Sequence, residues 1–541
     1  MNNILELKTG SELSQSQNVP DNKLCTTLAE IDQQLQLLQA NKDKWVQTGI
    51  EERIKILDKI RRDMKPVSPD WVRLSMAAKG IVPNTFPEQE EKIFLGSIFG
   101  LITVLRKSMS DIKRYGRPHI PGPVEVLPNG QVCAKVFPQK KADTMMFPGV
   151  SAEVLMQPGV AISEMVQSQA KMYTNQHYPG AVSLVLGAGN VSCLPITDIM
   201  YRLFVADRVV VLKLNPVNDY LGPLIEKGFR ALINPGFLRI VYGGAAEGNY
   251  LCNHALVDEI HLTGSDKTFE TIIFGPGTGG SERKAQKKPL ITKPVTGELG
   301  NITPVIIVPG PWSAEDIGKQ AQKITIWLAF NAGCNCLTPR VLIQDKNWAQ
   351  RELMIKAIGG VMAHMDTRKA YYPGAIERHA AFVAAHPNAC QFGDSSNGHL
   401  PWTIIPDIDP KNTQDICFNT EAFCSLFAET ALEADDIPGF IDRAVDFVNG
   451  TLWGTLTASI IVHPQSLLDP KIAASVERAL LNLHYGTVCV NEWGATGYAS
   501  NTTPWGGYPG RDIYDIQSGI GFVNNMLMFD KPQKAIVRGQ F

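Results

Sequence analysis

Apolar residues near the start of the chain recur at helical spacing. Leu24, Leu28, Ile31, Leu35 and Leu38 follow one another at steps of four and three, which predicts an amphipathic helix with one buried face. The two dozen residues before it are polar and carry no such pattern, so they read as loose chain. A second helix is expected after Trp45, where Thr48 and Glu51 stand in capping-box spacing and Ile50, Ile54, Leu57, Ile60 and Met64 form the buried stripe. Further on the period shortens. Residues 124–137 read as a β-hairpin in which Asn129-Gly130 supplies the positive-φ turn between Val124-Glu125-Val126 and Val132-Cys133-Ala134-Lys135-Val136. With few large apolar side chains to bury, this hairpin is expected to be an arm that packs on another subunit. From about Pro179 short apolar strands alternate with helical stretches. Strands are drawn at 181–186, 209–212, 238–242, 259–262 and 304–308, with a crossover helix at 194–206. Units of this kind form parallel sheets whose ligands sit at the carboxyl ends of the strands.

Composition narrows the class. A chain of 541 residues can hold two to four domains and bury large cores without staples. At 44% apolar and 19% charged it is neither disordered nor collagen-like. Its 51 basic and 53 acidic side chains leave a formal charge of −2, without the basic excess that a nucleic-acid partner calls for. Ten cysteines are too sparse for a disulfide scaffold and read as reduced thiols, one of them a candidate nucleophile. Residues 1–10 lack a basic stretch followed by an apolar run, and apolar runs such as 181–187 and 209–212 fall short of the ~20 residues that span a bilayer. A cytoplasmic protein with no membrane partner is therefore expected.

Two segments carry candidate chemistry. Gly275-Pro-Gly277-Thr-Gly-Gly280 is a literal G-x-G-x-x-G with Glu298 18 positions on. A dinucleotide fingerprint, however, must leave a strand and open a helix that receives the pyrophosphate. Here a polar, basic stretch running into Pro289 follows instead, so the segment reads as a surface loop. In Asn331-Ala-Gly-Cys334-Asn-Cys336-Leu-Thr-Pro-Arg340 two cysteines stand at i and i+2. With no companion pair and no H-E-x-x-H spacing, no metal site is assigned. A thiol nucleophile requires a base and an oxyanion donor elsewhere in the chain.

Those parts can be found, and with them the chain resembles the aldehyde dehydrogenase superfamily from roughly Trp45 onward. Asn-Ala-Gly-Cys334-Asn-Cys336 is similar to the family's active-site box, whose second cysteine, here Cys336, is the nucleophile. Val-Thr-Gly297-Glu298-Leu-Gly300-Asn301 resembles the Glu-Leu-Gly-Gly box, which makes Glu298 the implied general base. Leu186-Gly-Ala-Gly-Asn190 matches the strand end bearing the oxyanion asparagine, and Lys213, 23 residues later, has the spacing of the lysine that contacts the adenine ribose. Thr420-Glu421-Ala-Phe423 looks like the glutamate-x-phenylalanine that holds the nicotinamide ribose, and Pro504-Trp-Gly-Gly507 like the C-terminal Pro-Phe-Gly-Gly signature. Asn215, Gly264 and Ser265 complete the implied cofactor contacts.

The resemblance implies an α/β fold in three parts. These are a Rossmann-type dinucleotide-binding domain (24–123 and 138–297), an α/β catalytic domain (298–507) and a small β oligomerisation element (124–137 and 508–541). It also implies oxidation of an aldehyde to a carboxylic acid with NAD or NADP, through a thiohemiacetal and a thioester at Cys336, in a homodimer or homotetramer. Three departures stand out. Phe269 replaces a glycine usual five residues after Gly264, and Pro216 replaces a glutamate that would repel a 2′-phosphate. Asn301 creates a Gly-Asn-x-x-Pro run similar to that of CoA-acylating relatives. A CoA-dependent enzyme and a non-catalytic protein that keeps the fold are the alternative readings.

Overall fold

The computed structural model describes residues 25–174 and 178–541, so the polar N-terminal stretch and Leu24 lie outside the described residues. Helix Leu28–Val46 buries Ile31, Leu35 and Leu38 as the spacing predicts. Its N-terminus carries a capping box formed by Thr27 and Glu30. The box expected at Thr48 and Glu51 is not formed. Gly49 caps helix Ile50–Lys79 instead, and the Thr48 hydroxyl turns back to donate to the Lys44 carbonyl of the preceding helix. Ile56, Leu57, Ile60 and Met64 form the buried stripe of this second helix, while Ile50 and Ile54 pack against the core only in part.

Helix Phe86–Tyr115 is long and apolar enough by composition to cross a bilayer, a stretch the sequence reading passed over. Of its most apolar window 44% is buried inside the protein. Ile98, Leu101, Ile102 and Leu105 lie in the same core as the stripe of Ile50–Lys79, against which the helix packs.

Two sheets follow. The first has six strands in the order Gly519–Ile520, Val295–Glu298, Glu259–Thr263, Val182–Leu186, Val209–Lys213, Leu238–Val241. All neighbours are parallel except the first pair. The chain leaves the central strand Val182–Leu186 for its neighbours on one side and later returns to the other, so the strand order reverses beside it. In an open α/β sheet that point opens a ligand crevice beyond the carboxyl ends of the strands. The crossover helix, expected at 194–206, runs Leu194–Phe204 and is almost wholly buried.

The second sheet has eleven strands around a parallel set that includes Thr303–Ile307, Pro339–Asp345, Leu426–Leu432 and Thr457–Ile461. The hairpin at 124–137 and the C-terminal strand do come together, but as a continuation of this sheet within the same chain. Pro532–Arg538 lies between Thr487–Val490 and Ser151–Met156, and Ser151–Met156 pairs in turn with Val132–Phe137. The hairpin's small residues are thus buried by its own sheet: only one position of Val132–Phe137 is not buried. Gly130 takes the positive φ expected of the turn.

Candidate active site

The strand ends beside the topological switch are followed by the turns Gly187 to Asn190 and Gly264-Ser265, and Glu298 closes Val295–Glu298. Facing these turns stand Cys336, Glu421 and Phe423. Asn190, Gly264, Ser265, Glu298, Cys336, Glu421 and Phe423 line one cavity of about 220 Å³. Lys213 and Asn215, at the end of the adjacent strand, do not line it. Lys213 is mostly buried, which pulls its ammonium pKa down. Asn215 accepts from the Val217 N–H at 3.0 Å and sits against Gly189, where a Cβ would fall 2.7 Å from its side chain. A second, largely apolar cavity of about 90 Å³ meets the first at Asn190, Leu194, Glu298 and Cys336.

The cysteine loop is held in an unusual shape. Asn331, Ala332 and Gly333 adopt φ of 54°, 57° and 73° in succession, and a left-handed non-glycine residue costs about 1–2 kcal/mol. Gly333 is obligatory because a Cβ would lie 2.3 Å from the Cys424 carbonyl. Buried charges hold the rest. The Lys79 ammonium bonds Glu91 at 2.6 Å and the Asn331 side-chain oxygen at 2.8 Å, and Glu90 accepts from the Asn331 N–H at 3.1 Å while pairing with Arg368. Arg340 donates to the Gly333, Cys424 and Leu426 carbonyls. The Tyr371 hydroxyl joins Asn331 to the Asn190 carbonyl.

This frame sets the reactive groups. The Asn190 amide donates to the Cys334 carbonyl at 2.9 Å, and among the described residues no acceptor takes its second N–H. The backbone N–H of Cys336 lies against its own sulfur. Burial, followed by the nearby Glu298 carboxylate, pushes the Cys336 thiol well up. Burial likewise raises Glu298 to about 7, opposed by hydrogen bonding from Cys336 and the Trp505 indole. Glu298 Oε1 is buried without a hydrogen-bond partner, free to accept a proton or a water. Glu421 is also raised to about 7 by burial, against the pull of Arg340, and accepts from the Asn301 N–H at 3.1 Å. A neutral thiol beside a carboxyl titrating near neutrality can act as nucleophile and base.

Cys334, by contrast, is buried away from both cavities, its thiol directed at the Ala332 and Phe423 carbonyls. Phe269 lies in the core, so the departure at that position leaves the cavity lining untouched. Asn301 is a brace: its amide donates to Thr303 and Thr457, and its oxygen accepts from Leu456 and Ser518. In the segment read as a surface loop at 275–280, only Gly275 and Pro276 form a corner after helix Asp266–Phe274, and residues 277–280 open helix Gly277–Ala285 instead. The segment leaves no strand, which is why it forms no phosphate fingerprint. Elsewhere, His386, Asp415 and Cys417 converge, an arrangement accounted for by the His386–Asp415 pair at 3.1 Å and by Asp415 capping helix Ile416–Asn419.

Several site residues escaped sequence reasoning. Lys79, Glu90 and Glu91 interrupt the inner faces of two long helices, and buried charge within an apolar stripe was the available signal. Lys267, Tyr372, Arg378 and Trp453 line the larger cavity but carry no local motif.

Residues 141–369 match the Aldehyde dehydrogenase family. The chain is similar to 4-trimethylaminobutyraldehyde dehydrogenase from Homo sapiens, 33% identical over 101 residues that make up 18% of each protein. The Mus musculus counterpart is 38% identical over a stretch of the same length and the same shares. The chain thus spans less than a fifth of the length of these curated relatives. Its fold is that of an aldehyde dehydrogenase C mutant from Pseudomonas syringae complexed with NAD+ and octanal. The TM-score is 0.65 and the identity 15%, over 95% of this chain and 89% of that one. It is also that of an NADP-dependent glyceraldehyde-3-phosphate dehydrogenase from Bacillus halodurans C-125 complexed with NADP, with TM-score 0.64 and 16% identity over 95% and 92% of the chains. The segment that matches this family carries Asn190, Glu298 and Cys336, and the whole chain shares the fold of these dehydrogenases.

Proposed function

We propose that the protein oxidises an aldehyde to a carboxylic acid with NAD or NADP. The observation that carries this reading is the junction of two cavities at Cys336, with Glu298 and Asn190 on its rim. The residues of the larger cavity fit the cofactor. Ser265 begins helix Asp266–Phe274 with its N-terminus exposed toward the cavity, a setting suited to a pyrophosphate. Glu421 offers a buried carboxylate to ribose hydroxyls, beside Gly300, where a Cβ would fall 2.2 Å from its Oε2. Phe423 adds an aromatic wall, and Lys213 and Asn215 stand at the neighbouring strand end for the adenosine half. When bound, NAD or NADP supplies the hydride acceptor.

The chain's own groups do the rest. The Cys336 sulfur adds to the aldehyde carbon as its proton passes to Glu298, and the developing oxyanion takes the free N–H of Asn190 and the Cys336 backbone N–H. After oxidation the acyl group is held as a thioester at Cys336. Glu298, once it has released the thiol proton to solvent, removes a proton from the attacking water, and the Cys336 sulfur leaves as a thiolate that takes up that proton as the acid forms. A carboxyl titrating near 7 is matched to this duty at neutral pH. The CoA-dependent alternative rests on the run Gly300-Asn301-Ile-Thr-Pro304; the Asn301 side chain is engaged within the chain, which speaks for a bracing role, and a strict requirement for CoA would favour the alternative. NAD(P)H formation across an aldehyde panel tests the proposal, and a cofactor-binding protein inert toward every aldehyde overturns it.

The same reading makes the protein a cytoplasmic homodimer or homotetramer. Its ten free cysteines suit a reducing compartment. The edge strand Val124–Val126, with Val126 exposed, offers open backbone groups to a second copy. Sedimentation velocity checks the assembly.

A further inference from the structure

A row of buried polar side chains lies beneath the reaction centre, and the steps above make no use of it. Glu298 and Thr263 are register partners on adjacent parallel strands, and Thr296 and His261 are partners two residues earlier. Side chains two residues apart share one face of a sheet. All four therefore stand on the face that helix Leu194–Phe204 covers. The helix sets Asp198 against Thr263 and, one turn later, Arg202 against His261 and Thr296. Asp198, Arg202, His261 and Thr263 are all buried.

Hydrogen bonding fixes the charges in this row. A guanidinium can only donate, and that of Arg202 meets His261 Nδ1 at 2.9 Å and the Thr296 hydroxyl. Nδ1 is thus an acceptor, and the imidazole carries its proton on Nε2, which faces Asp198 Oδ1 at 3.8 Å. Burial and the charge of Arg202 lower the His261 pKa, so the ring is neutral. The Thr263 hydroxyl donates to Asp198 Oδ2 at 2.8 Å. Arg202 itself is drawn toward Glu259, at 3.5 Å, which Arg208 also holds at 3.1 Å. Among the described residues, no lysine or arginine pairs with Asp198, so its charge is left to act on its neighbours. Cys193 and Tyr498 are among them, the latter bonded through its hydroxyl to Thr197 at 2.7 Å.

The neighbour that matters is Glu298. Burial is the main cause of its raised pKa, the charges of Asp198 and Glu421 add to the rise, and hydrogen bonding from Cys336 and the Trp505 indole opposes it. Asp266, Lys267 and Arg378 line the same larger cavity. We propose, resting on the aldehyde-oxidising reading above, that Asp198 is a positioning residue for that reaction: its buried carboxylate, fixed by Thr263 and His261, makes Glu298 a stronger base toward the water that hydrolyses the thioester. A nearby like charge holds a proton on Glu298 to higher pH. Once ionised, the stronger base takes a proton from water faster.

The test titrates Glu298 in the full-length protein. Its carboxyl C=O band in the infrared is the one that Glu298→Gln removes, and the midpoint of that band is followed from pH 5 to 9. Asp198→Asn keeps the volume, with Thr263 able to turn its hydroxyl toward the amide, and is expected to lower the midpoint by about one pH unit. Asp198→Ser removes the same charge if the amide is not accommodated. Glu259→Gln, at the far end of the row, is expected to lower the melting temperature and leave the midpoint in place. A second arm mixes protein and saturating NAD or NADP with limiting aldehyde, quenches in acid and follows the decay of acyl-Cys336 by mass spectrometry. In Asp198→Asn the pH profile of that decay should move down by the same unit and reach a plateau roughly 3-fold lower, so that the two profiles cross. An unmoved midpoint in folded Asp198→Asn, or an equal shift in Glu259→Gln, overturns the role of Asp198 while the oxidising activity stands. Protein that binds cofactor but forms neither acyl-Cys336 nor NAD(P)H from any aldehyde overturns the activity and the role with it.

Discussion

The two cavities that meet at Cys336 are built on opposite plans. On one side backbone turns at strand ends, a helix N-terminus and the carboxylate of Glu421 bring polar groups to the cavity wall. On the other, interlocked rings make a wall that is almost wholly apolar. The difference teaches how the labour is split. Under the proposed function, backbone and fixed charge would recognise the large polar cofactor and the aromatic wall would face the small substrate. Cys336, Glu298 and Asn190 belong to both sides, so variants of these residues and of each wall can pull the two functions apart.

The largest effect is expected from Cys336→Ala, which removes the nucleophile. Turnover should fall by ~10⁴-fold or more, while cofactor affinity by fluorescence titration stays as it was. Equal loss of both would mean that the cavities are not separable. Next comes the frame behind them. Lys79→Met leaves Glu91 as a buried charge without its 2.6 Å partner, and breaking such a pair costs about 3–5 kcal/mol. Denaturant unfolding should show that loss. Addition of Glu91→Gln should restore part of it, and an unchanged midpoint in Lys79→Met would deny the clamp. Asn190→Ala is expected to lower kcat by ~10²–10³-fold with cofactor KM unchanged. A KM effect alone would place the amide outside the reaction centre.

The pH dependence follows from Glu298. Its pKa is raised on folding to about 7 by burial, so activity should rise with pH through neutrality, and Glu298→Gln should abolish that rise. Stability moves the other way. The folded protein holds this proton more tightly than the unfolded chain, so the contribution is fully present below the unfolded carboxyl pKa and is lost as pH rises through about 7. Melting curves should therefore show Glu298→Gln stabilised relative to the parent at pH 8 and little changed at pH 5. The smallest effect is reserved for the cofactor side: Glu421→Gln should weaken NAD or NADP binding about 10-fold, the share of one charge-assisted hydrogen bond, without altering aldehyde KM.

The same contrast explains what the sequence could disclose. Cofactor-side residues sit at ends of regular strands, where short local patterns such as Gly-Ala-Gly-Asn190 and Thr-Gly264-Ser265 mark both the turn and the group it presents. Strands 182–186 and 259–263 were accordingly legible to within a residue. The aromatic chamber was not, because Phe94, Phe330, Trp493 and Trp505 come together only through long-range packing, and each reads alone as an ordinary core residue. Lys79 and Glu91 were hidden for a related reason: their helices announce themselves by apolar stripes, and a buried ion pair appears there as an interruption. The hairpin at 124–137 was seen, but its burial depends on strand Ser151–Met156, whose pairing no local pattern encodes. At Thr48 a local motif was overruled by a nearer acceptor, the Lys44 carbonyl.

One measurement reaches the centre of this account. Glu298→Gln, given an alkanal and NAD or NADP at pH 9 so that Cys336 can lose its proton to solvent, should form the thioester and stall before water attacks it, so peptide mass spectrometry should find the acyl mass on Cys336 and on no other cysteine. An acyl group on Cys334, or a stalled protein without any acyl adduct, would contradict the assignment of Cys336 as the nucleophile at the junction of the two cavities.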